Sequence, residues 1–259
     1  MDTQQHPPPA APPLIGLRDI RKVYRMGDQE VRALDGVSLS IAEGELVAIM
    51  GPSGSGKSTL MHVLGCLDAP TSGSYQLNGE EVSQLPDAEL ARVRNRTIGF
   101  VFQSFNLLPS FTALENVELP MIYGRAKDRR RKALAALERV GLADRVHHKP
   151  SELSGGQQQR VAIARAIAGE PRVLMGDEPT GNVAMRQGEE IMQIFQELNE
   201  HGITVILVTH EAHIARHARR LIQVQDGRVL YDRPIMHRLL ASEWLAQPEN
   251  AVTSGPLEL

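Results

Sequence analysis

Cysteine is almost missing from this chain: Cys66 is the single one in 259 residues. One thiol excludes an internal disulfide and fits a reducing compartment. Long apolar runs are missing as well. Crossing a bilayer takes about 18 or more apolar residues in succession, and the longest runs here, such as Ile203–Val208, have the length of a strand. No direct membrane insertion is expected. Positive charge is not in excess either, since 28 Lys and Arg against 31 Asp and Glu leave a net charge of −3. That balance argues against general nucleic-acid binding, which draws on a basic surface. The first thirteen residues lack a basic segment followed by an apolar one, so no secretory signal is expected. With five prolines, residues 1–13 read instead as an extended, disordered arm. What the chain does have is 42% hydrophobic residues, enough for a full core. The expectation is a cytoplasmic protein whose membrane role, if it has one, passes through a partner.

Patterning divides the chain. Residues 14–24 and 36–42 alternate apolar and polar, as half-buried antiparallel strands do. Leu46–Met50 is a continuous apolar run leading into glycines, the pattern of a buried parallel strand. A helix is expected over 57–66, a strand over 74–77, and a turn at Asn78-Gly79. A mostly helical stretch runs from about 87 to 169 with a short strand at 98–102 inside it; Leu134, Leu137 and Val140 fall there at helical spacing. Strand signals return at 173–176 and 204–208 with a helix near 187–199 between them, and two short strands follow at 221–224 and 228–231. Strands alternating with helices favour a parallel sheet covered by helices. One domain over 14–245 and a tail over 246–259 are expected.

The chemistry is concentrated in three motifs. Gly51-Pro52-Ser53-Gly54-Ser55-Gly56-Lys57-Ser58 completes the pattern G-x-x-x-x-G-K-[ST], with Thr59 following. Its glycines let successive backbone N–H groups turn inward around phosphates, and the helix that follows adds its positive end. Lys57 supplies charge to the β- and γ-phosphates, and the Ser58 hydroxyl can ligate Mg²⁺. Downstream, an apolar strand ends in Asp177 and Glu178. The aspartate can hold the magnesium ion, and the glutamate can orient and deprotonate an attacking water. Between these, Ser154-Gly155-Gly156-Gln157 opens a helix whose body runs over 158–168. Ser154 suits an N-cap, and the glycines leave the positive helix end bare for a second phosphate contact.

The phosphate loop followed by Leu153-Ser-Gly-Gly-Gln157 resembles the ATP-binding cassette family over roughly 14–232. The resemblance implies an α/β P-loop NTPase fold of the cassette type, with a mixed sheet core, an antiparallel β-subdomain and an inserted α-helical subdomain. It implies ATP and Mg²⁺ as ligands. It further implies that two subunits pack head to tail, so that Ser154, Gly155, Gly156 and Gln157 of one copy close on the ATP of the other. Three more residues take roles from the family alone. Gln103 would reach Mg²⁺, His210 would contact the γ-phosphate, and Tyr24 would stack on adenine. Segments 64–68, 102–108, 114–117 and 150–156 resemble the ATPases of macrolide-export and lipoprotein-release systems. That subgroup implies a separate integral membrane permease, a second cassette subunit, and a place at the cytoplasmic face of the inner membrane.

One position departs from the family. After Glu178-Pro-Thr-Gly-Asn182 relatives continue Leu-Asp, whereas here Val183-Ala184 follows, and slower or less coordinated hydrolysis is the expectation. A regulatory cassette ATPase of cell division or envelope signalling stays open as an alternative, as does an ATP-gated module with weak hydrolysis. Three weaker features have competing readings. His210, His213 and His217 could share a helical face and bind metal, though His210 has its own role. The basic run Arg125, Lys127, Arg129, Arg130, Arg131 and Lys132 reads as a solvated face or as a contact to lipid headgroups. Phe105, Leu107, Leu108 and Phe111 are core or partner groove.

Overall fold

The computed structural model of the chain describes residues 13–247, apart from Asp28 and Arg125. The proline-rich arm up to residue 12 and the tail from residue 248 lie outside the described residues, as does Arg125 of the basic run. Two sheets share the core. The smaller is antiparallel, built from β1 (Ile15–Met26), β2 (Gln29–Ile41), β4 (Ser72–Leu77) and β5 (Glu80–Glu81) in the order β2-β1-β4-β5. Alternation shows directly in β2, where Val37, Leu39 and Ile41 are buried and Ser38 and Ser40 face solvent. Both strands of this hairpin run further than the pattern suggests, pairing from Ile15↔Ile41 as far as Met26↔Gln29. Gln29–Arg32 are all exposed, so no buried alternation marks that part of the strand. The β4–β5 turn uses Asn78 and Gly79, both with positive φ (53° and 79°), as a two-residue hairpin turn requires.

The larger sheet holds β3 (Leu46–Met50), β6 (Ile98–Phe102), β7 (Val173–Asp177), β8 (Thr204–Val208), β9 (Arg220–Gln225) and β10 (Arg228–Pro234), ordered β10-β9-β3-β8-β7-β6. All neighbours are parallel except β10, which returns antiparallel along β9. Every residue of β3 and β8 is buried, as expected where both faces of a parallel sheet are covered. Alternate β3 side chains divide between two cores. Val47 and Ile49 pack with α1 (Lys57–Leu64) and the antiparallel sheet. Leu46, Ala48 and Met50 pack with the cluster that holds α3 (Ala113–Tyr123), α4 (Arg129–Arg139), α5 (Gly155–Ile167) and α6 (Met185–Glu200). Each of these side chains larger than alanine contributes roughly 1.5–3 kcal/mol on burial, so the strand that leads into the phosphate loop is anchored from both sides.

The stretch from 87 to 169 is not one helical unit. Its strand β6 pairs residue for residue with β7, Ile98↔Val173 through Phe102↔Asp177, and so belongs to the main sheet. Helix α2 (Asp87–Thr97) packs against it, while α3, α4 and α5 pack on one another. Within α4 the inward face is Ala133, Ala136 and Leu137, and Leu134 is 39% exposed, against the spacing that grouped it with the core. Short helices α7 (Ala212–Ala215) and α8 (Ala241–Leu245) complete the elements. Among the described residues no helix is long and apolar enough to cross a membrane. Because β3, β8, β7 and β6 are adjacent and parallel, their carboxyl ends lie side by side. Gly51, Thr209, Glu178 and Gln103 thereby become neighbours at one edge of the sheet, where open α/β sheets bind ligands.

Candidate functional site

The phosphate loop is wound too tightly for side chains at two of its glycines. A Cβ on Gly51 would overlap the Val224 carbonyl oxygen, and one on Gly56 the Ala33 carbonyl oxygen. Gly56 also takes φ +100°, outside the reach of most L-residues. It is the N-cap of α1 and offers no side chain, so the first amide groups of the helix stay open to an anion. Pro52, Ser53, Gly54 and Ser58 are exposed along the loop, and Thr59 is half-buried behind it. Ser55 is buried, and its hydroxyl finds no hydrogen-bond partner among the described residues. Lys57 lies across its own loop, its Nζ donating to the carbonyls of Gly51 (2.6 Å) and Pro52 (2.8 Å).

Two acids stand at the end of β7 in different surroundings. Asp177 is half-buried and no hydrogen bond reaches its carboxylate among the described residues. Burial and then the charge of Glu178 push its carboxyl up, while His62 and Lys57 pull it back. A half-buried carboxylate with no donor, within reach of the Lys57 charge at the start of α1, fits a hard divalent cation such as Mg²⁺. Glu178 is the opposite case, with three hydrogen bonds reaching its carboxylate. Its Oε2 accepts from the Thr209 hydroxyl at 2.9 Å, and its Oε1 from the His210 amide at 2.9 Å and from His210 Nδ1 at 2.7 Å. The residue takes φ 45°, and its amide donates to the Val208 carbonyl. The hydrogen bond and charge of Glu178 raise the His210 imidazole above its ordinary range.

Gln103 follows β6 and sits over Gly181, with its carbonyl accepting from Asn182 Nδ2 at 3.0 Å. Tyr24 is half-buried, and its hydroxyl donates to Asp68 at 2.9 Å while Lys22 lies over the ring at 5.1 Å. Burial and that aspartate push its phenol up, and Thr59 of the loop is near enough to act on it. Ser154 caps α5 in a reciprocal box: its hydroxyl accepts from the Gln157 amide and its own amide donates to Gln157 Oε1. Among the described residues no hydrogen bond or ion pair joins 154–157 to the loop 51–59. Gly155 and Gly156 lean instead on Asn182, Val183 and Gln187. The structure therefore groups Tyr24, the loop, Asp177, Glu178, Gln103 and His210, and among the described residues no hydrogen bond or ion pair joins Ser154–Gln157 to them.

Three residues escaped the motif reading. Gln159 is fully buried and donates to the carbonyls of Phe102 (3.1 Å) and Pro179 (2.6 Å), tying the signature helix to the ends of β6 and β7. Thr209 holds Glu178, and Asp68 holds both Lys22 and Tyr24. A glutamine inside a helix otherwise buried on one face was the available signal for the first. The supposed histidine face also divides, because His210 turns to Glu178 whereas His213 and His217 turn to Glu189. None of Phe105, Leu107, Leu108 and Phe111 lines the neighbouring groove of about 620 Å³, whose walls include Leu67, Phe100, Phe102, Pro120 and Tyr123. At α4, Lys132 pairs with Glu170 and Arg131 with Asp128 on a solvated surface.

Ala184 proves to be the N-cap of α6, with extended φ/ψ and no side-chain cap. An aspartate there would accept from the first-turn amides, so Ala184→Asp is expected to stabilise the chain by about 0.5–2 kcal/mol. Urea unfolding measures it, as a higher midpoint at unchanged slope; a midpoint equal to or below the parent's contradicts the capping account.

Comparison with known proteins places this geometry. The family described as "ABC transporter" matches residues 34–181. An uncharacterized ABC transporter ATP-binding protein of Thermotoga maritima is 57% identical over 218 residues, 83% of this chain and 93% of that protein. The macrolide export ATP-binding/permease protein MacB of Bdellovibrio bacteriovorus is 56% identical over 219 residues, 85% of this chain but 34% of its own length. The dimeric, post-hydrolysis structure of the ATP-binding cassette MJ0796 with ADP and Pi superimposes with a TM-score of 0.79 at 47% identity, covering 85% of this chain and 98% of that one. With more than half its length inside the family match, the chain belongs to the ABC transporter family, as an ATP-binding and ATP-hydrolysing subunit.

Proposed function

We propose that the chain is one of two cassettes that close around two molecules of ATP and drive a separate membrane permease of the macrolide-export or lipoprotein-release kind. The observation that carries this reading is the separation inside one chain of two phosphate-binding elements. Loop 51–59 follows the carboxyl end of β3, while among the described residues no hydrogen bond or ion pair joins it to the capped start of α5. A second copy supplies the missing half of each site, a reading supported by the dimeric structure of the cassette MJ0796.

The amides of 51–59 hold the phosphates, Lys57 leaves the carbonyls of Gly51 and Pro52 for the phosphate oxygens, and Tyr24 stacks on the adenine. Ser58, Gln103 and Asp177 would hold Mg²⁺, which when bound neutralises charge on the β- and γ-phosphates. Ser154, Gly155, Gly156 and Gln157 of the second copy close on the γ-phosphate. Glu178 orients the water and accepts its proton at a carboxylate oxygen once His210 turns from it toward the γ-phosphate. Tighter ATP binding in the closed dimer supplies the stroke. The groove at Leu67, Phe100 and Tyr123 receives the permease, which keeps the cassette at the cytoplasmic face of the membrane. The absence of the family's aspartate at Ala184 favours a second reading, a cassette that closes on ATP and hydrolyses it slowly.

Sedimentation tests the dimer. The full chain with ATP in the absence of Mg²⁺ is expected to dimerise, and Ser154→Arg, which puts a bulky side chain at the start of α5, to bind ATP as a monomer. Equal dimerisation by parent and variant would remove the signature from the interface.

A further inference from the structure

Two histidines and a glutamate outside the nucleotide site are arranged in a way that ATP hydrolysis does not use. His213 lies on α7, His217 four residues further on, and Glu189 on α6. Glu189 and His217 are fully buried, and the His213 side chain is 40% exposed. The carboxylate gives one oxygen to each ring: Oε1 meets His213 Nε2, and Oε2 meets His217 Nε2 at 2.9 Å. The rings stand edge to face at 82°, with centroids 5.4 Å apart. All three donor atoms lie within 4.8 Å of one another. The backbone at His217 is fixed as well, since its carbonyl accepts from Gln196 (3.1 Å) and from Arg238 (2.9 Å).

Protons satisfy this arrangement only through a buried ion pair. His217 Nδ1 lies 3.3 Å from the Ile214 carbonyl oxygen, which can only accept, so Nδ1 carries a proton. A neutral ring then presents the lone pair of Nε2 to a carboxylate oxygen, acceptor against acceptor. A second proton on the ring resolves this, and so does a metal ion admitted by a small shift of the side chains. A second proton on His217 alone suffices, since His213 can stay neutral and donate its Nε2–H to the other oxygen, but it makes a fully buried imidazolium–carboxylate pair. A divalent ion meets the same need with both imidazoles neutral. An N–H donated to a backbone carbonyl from the far side of the ring is also what orients metal-bound histidines.

The geometry points to a binding site for a divalent transition ion of the zinc class, formed by Glu189, His213 and His217. Two imidazoles and one carboxylate are a three-ligand zinc set, and the open side of His213 leaves the fourth position to water. The ion would clamp α7 to α6 close behind His210, so the segment that carries His210 would be held on a metal-dependent support.

The test uses the full chain, stripped with a chelator, free of nucleotide, and titrated with zinc chloride in a calorimeter. One equivalent is expected to bind per chain and to raise the thermal unfolding midpoint. His213→Gln, at the exposed edge of the cluster, should fold with the midpoint of the stripped parent and bind zinc at least about 100-fold more weakly, since even outer partners of a ligand are worth about 10–100-fold. Glu189→Gln should lose the same equivalent, and His210→Gln should keep it. The proposal is overturned if the parent takes up no stoichiometric zinc, or if His213→Gln takes it up like the parent.

Discussion

Glu178→Gln is expected to lower turnover by about 10²–10⁴-fold, the contribution typical of a positioned general base, while ATP binding persists. The amide keeps the shape of the side chain but cannot accept the proton of an attacking water. It also replaces one oxygen by an NH₂ group, so one of the bonds now made by Thr209 and His210 is lost. ATP-bound dimers should therefore accumulate where the parent chain turns over. A second readout follows from the same contact. Glu178 holds the His210 imidazole above its ordinary value, first through the hydrogen bond and then through charge. The stabilisation from this pair is fully present below the unfolded histidine value of about 6.5 and is lost as pH rises through the higher folded value. In Glu178→Gln the His210 titration, followed by NMR, should move back down, and the stability gap between parent and variant should close at high pH. Turnover within a few-fold of the parent would sink the assignment of the base.

Lys57→Ala is expected to fail one step earlier. In the ligand-free chain the ammonium group is held by two neutral carbonyls, at 2.6 Å and 2.8 Å. Phosphate oxygens compete well for it, because charge-assisted bonds are roughly twice as strong as neutral ones. Hydrogen bonds to charged groups contribute about 1.5–3 kcal/mol each, so loss of the lysine should weaken ATP binding by about 10-fold or more. Turnover should fall by about 10²–10³-fold, the cost of removing one donor aimed at developing charge. The fold should survive, since alanine is well tolerated at the first position of α1 and the loop glycines keep their contacts. Titration with a fluorescent ATP analogue separates the two variants: Glu178→Gln binds and stalls, and Lys57→Ala binds poorly. Unchanged affinity in Lys57→Ala would contradict a lysine that leaves its carbonyls for the phosphates.

Motifs that lie within a few consecutive residues were legible because their geometry is local. Gly51–Ser58 winds its own loop, Ser154 caps its own helix through Gln157, and Asn78-Gly79 makes its own turn. The buried strands at 46–50 and 204–208 were legible for a related reason, since burial on both faces leaves an unbroken apolar run. The outer half of the β1–β2 hairpin was not, because residues 29–32 pair without burying anything. Leu134 misled for the converse reason. Spacing says which residues share a face of a helix, but the neighbours decide which face is covered.

By itself, then, the sequence determined the phosphate loop, the acids at the end of β7 and the cap of α5. It also marked the missing carboxylate at position 184. Only the tertiary structure decided what meets what. The strand order β3-β8-β7-β6 brings Lys57, His210, Glu178 and Gln103 to one edge although up to 153 residues separate them, His210 less Lys57. It turned Ala184 into a helix cap, set Gln159 beneath two strand ends, and drew His213 and His217 away from His210 onto Glu189. Local backbone chemistry is written in adjacent residues, whereas side-chain partnership depends on how whole elements pack, and no spacing along the chain encodes that.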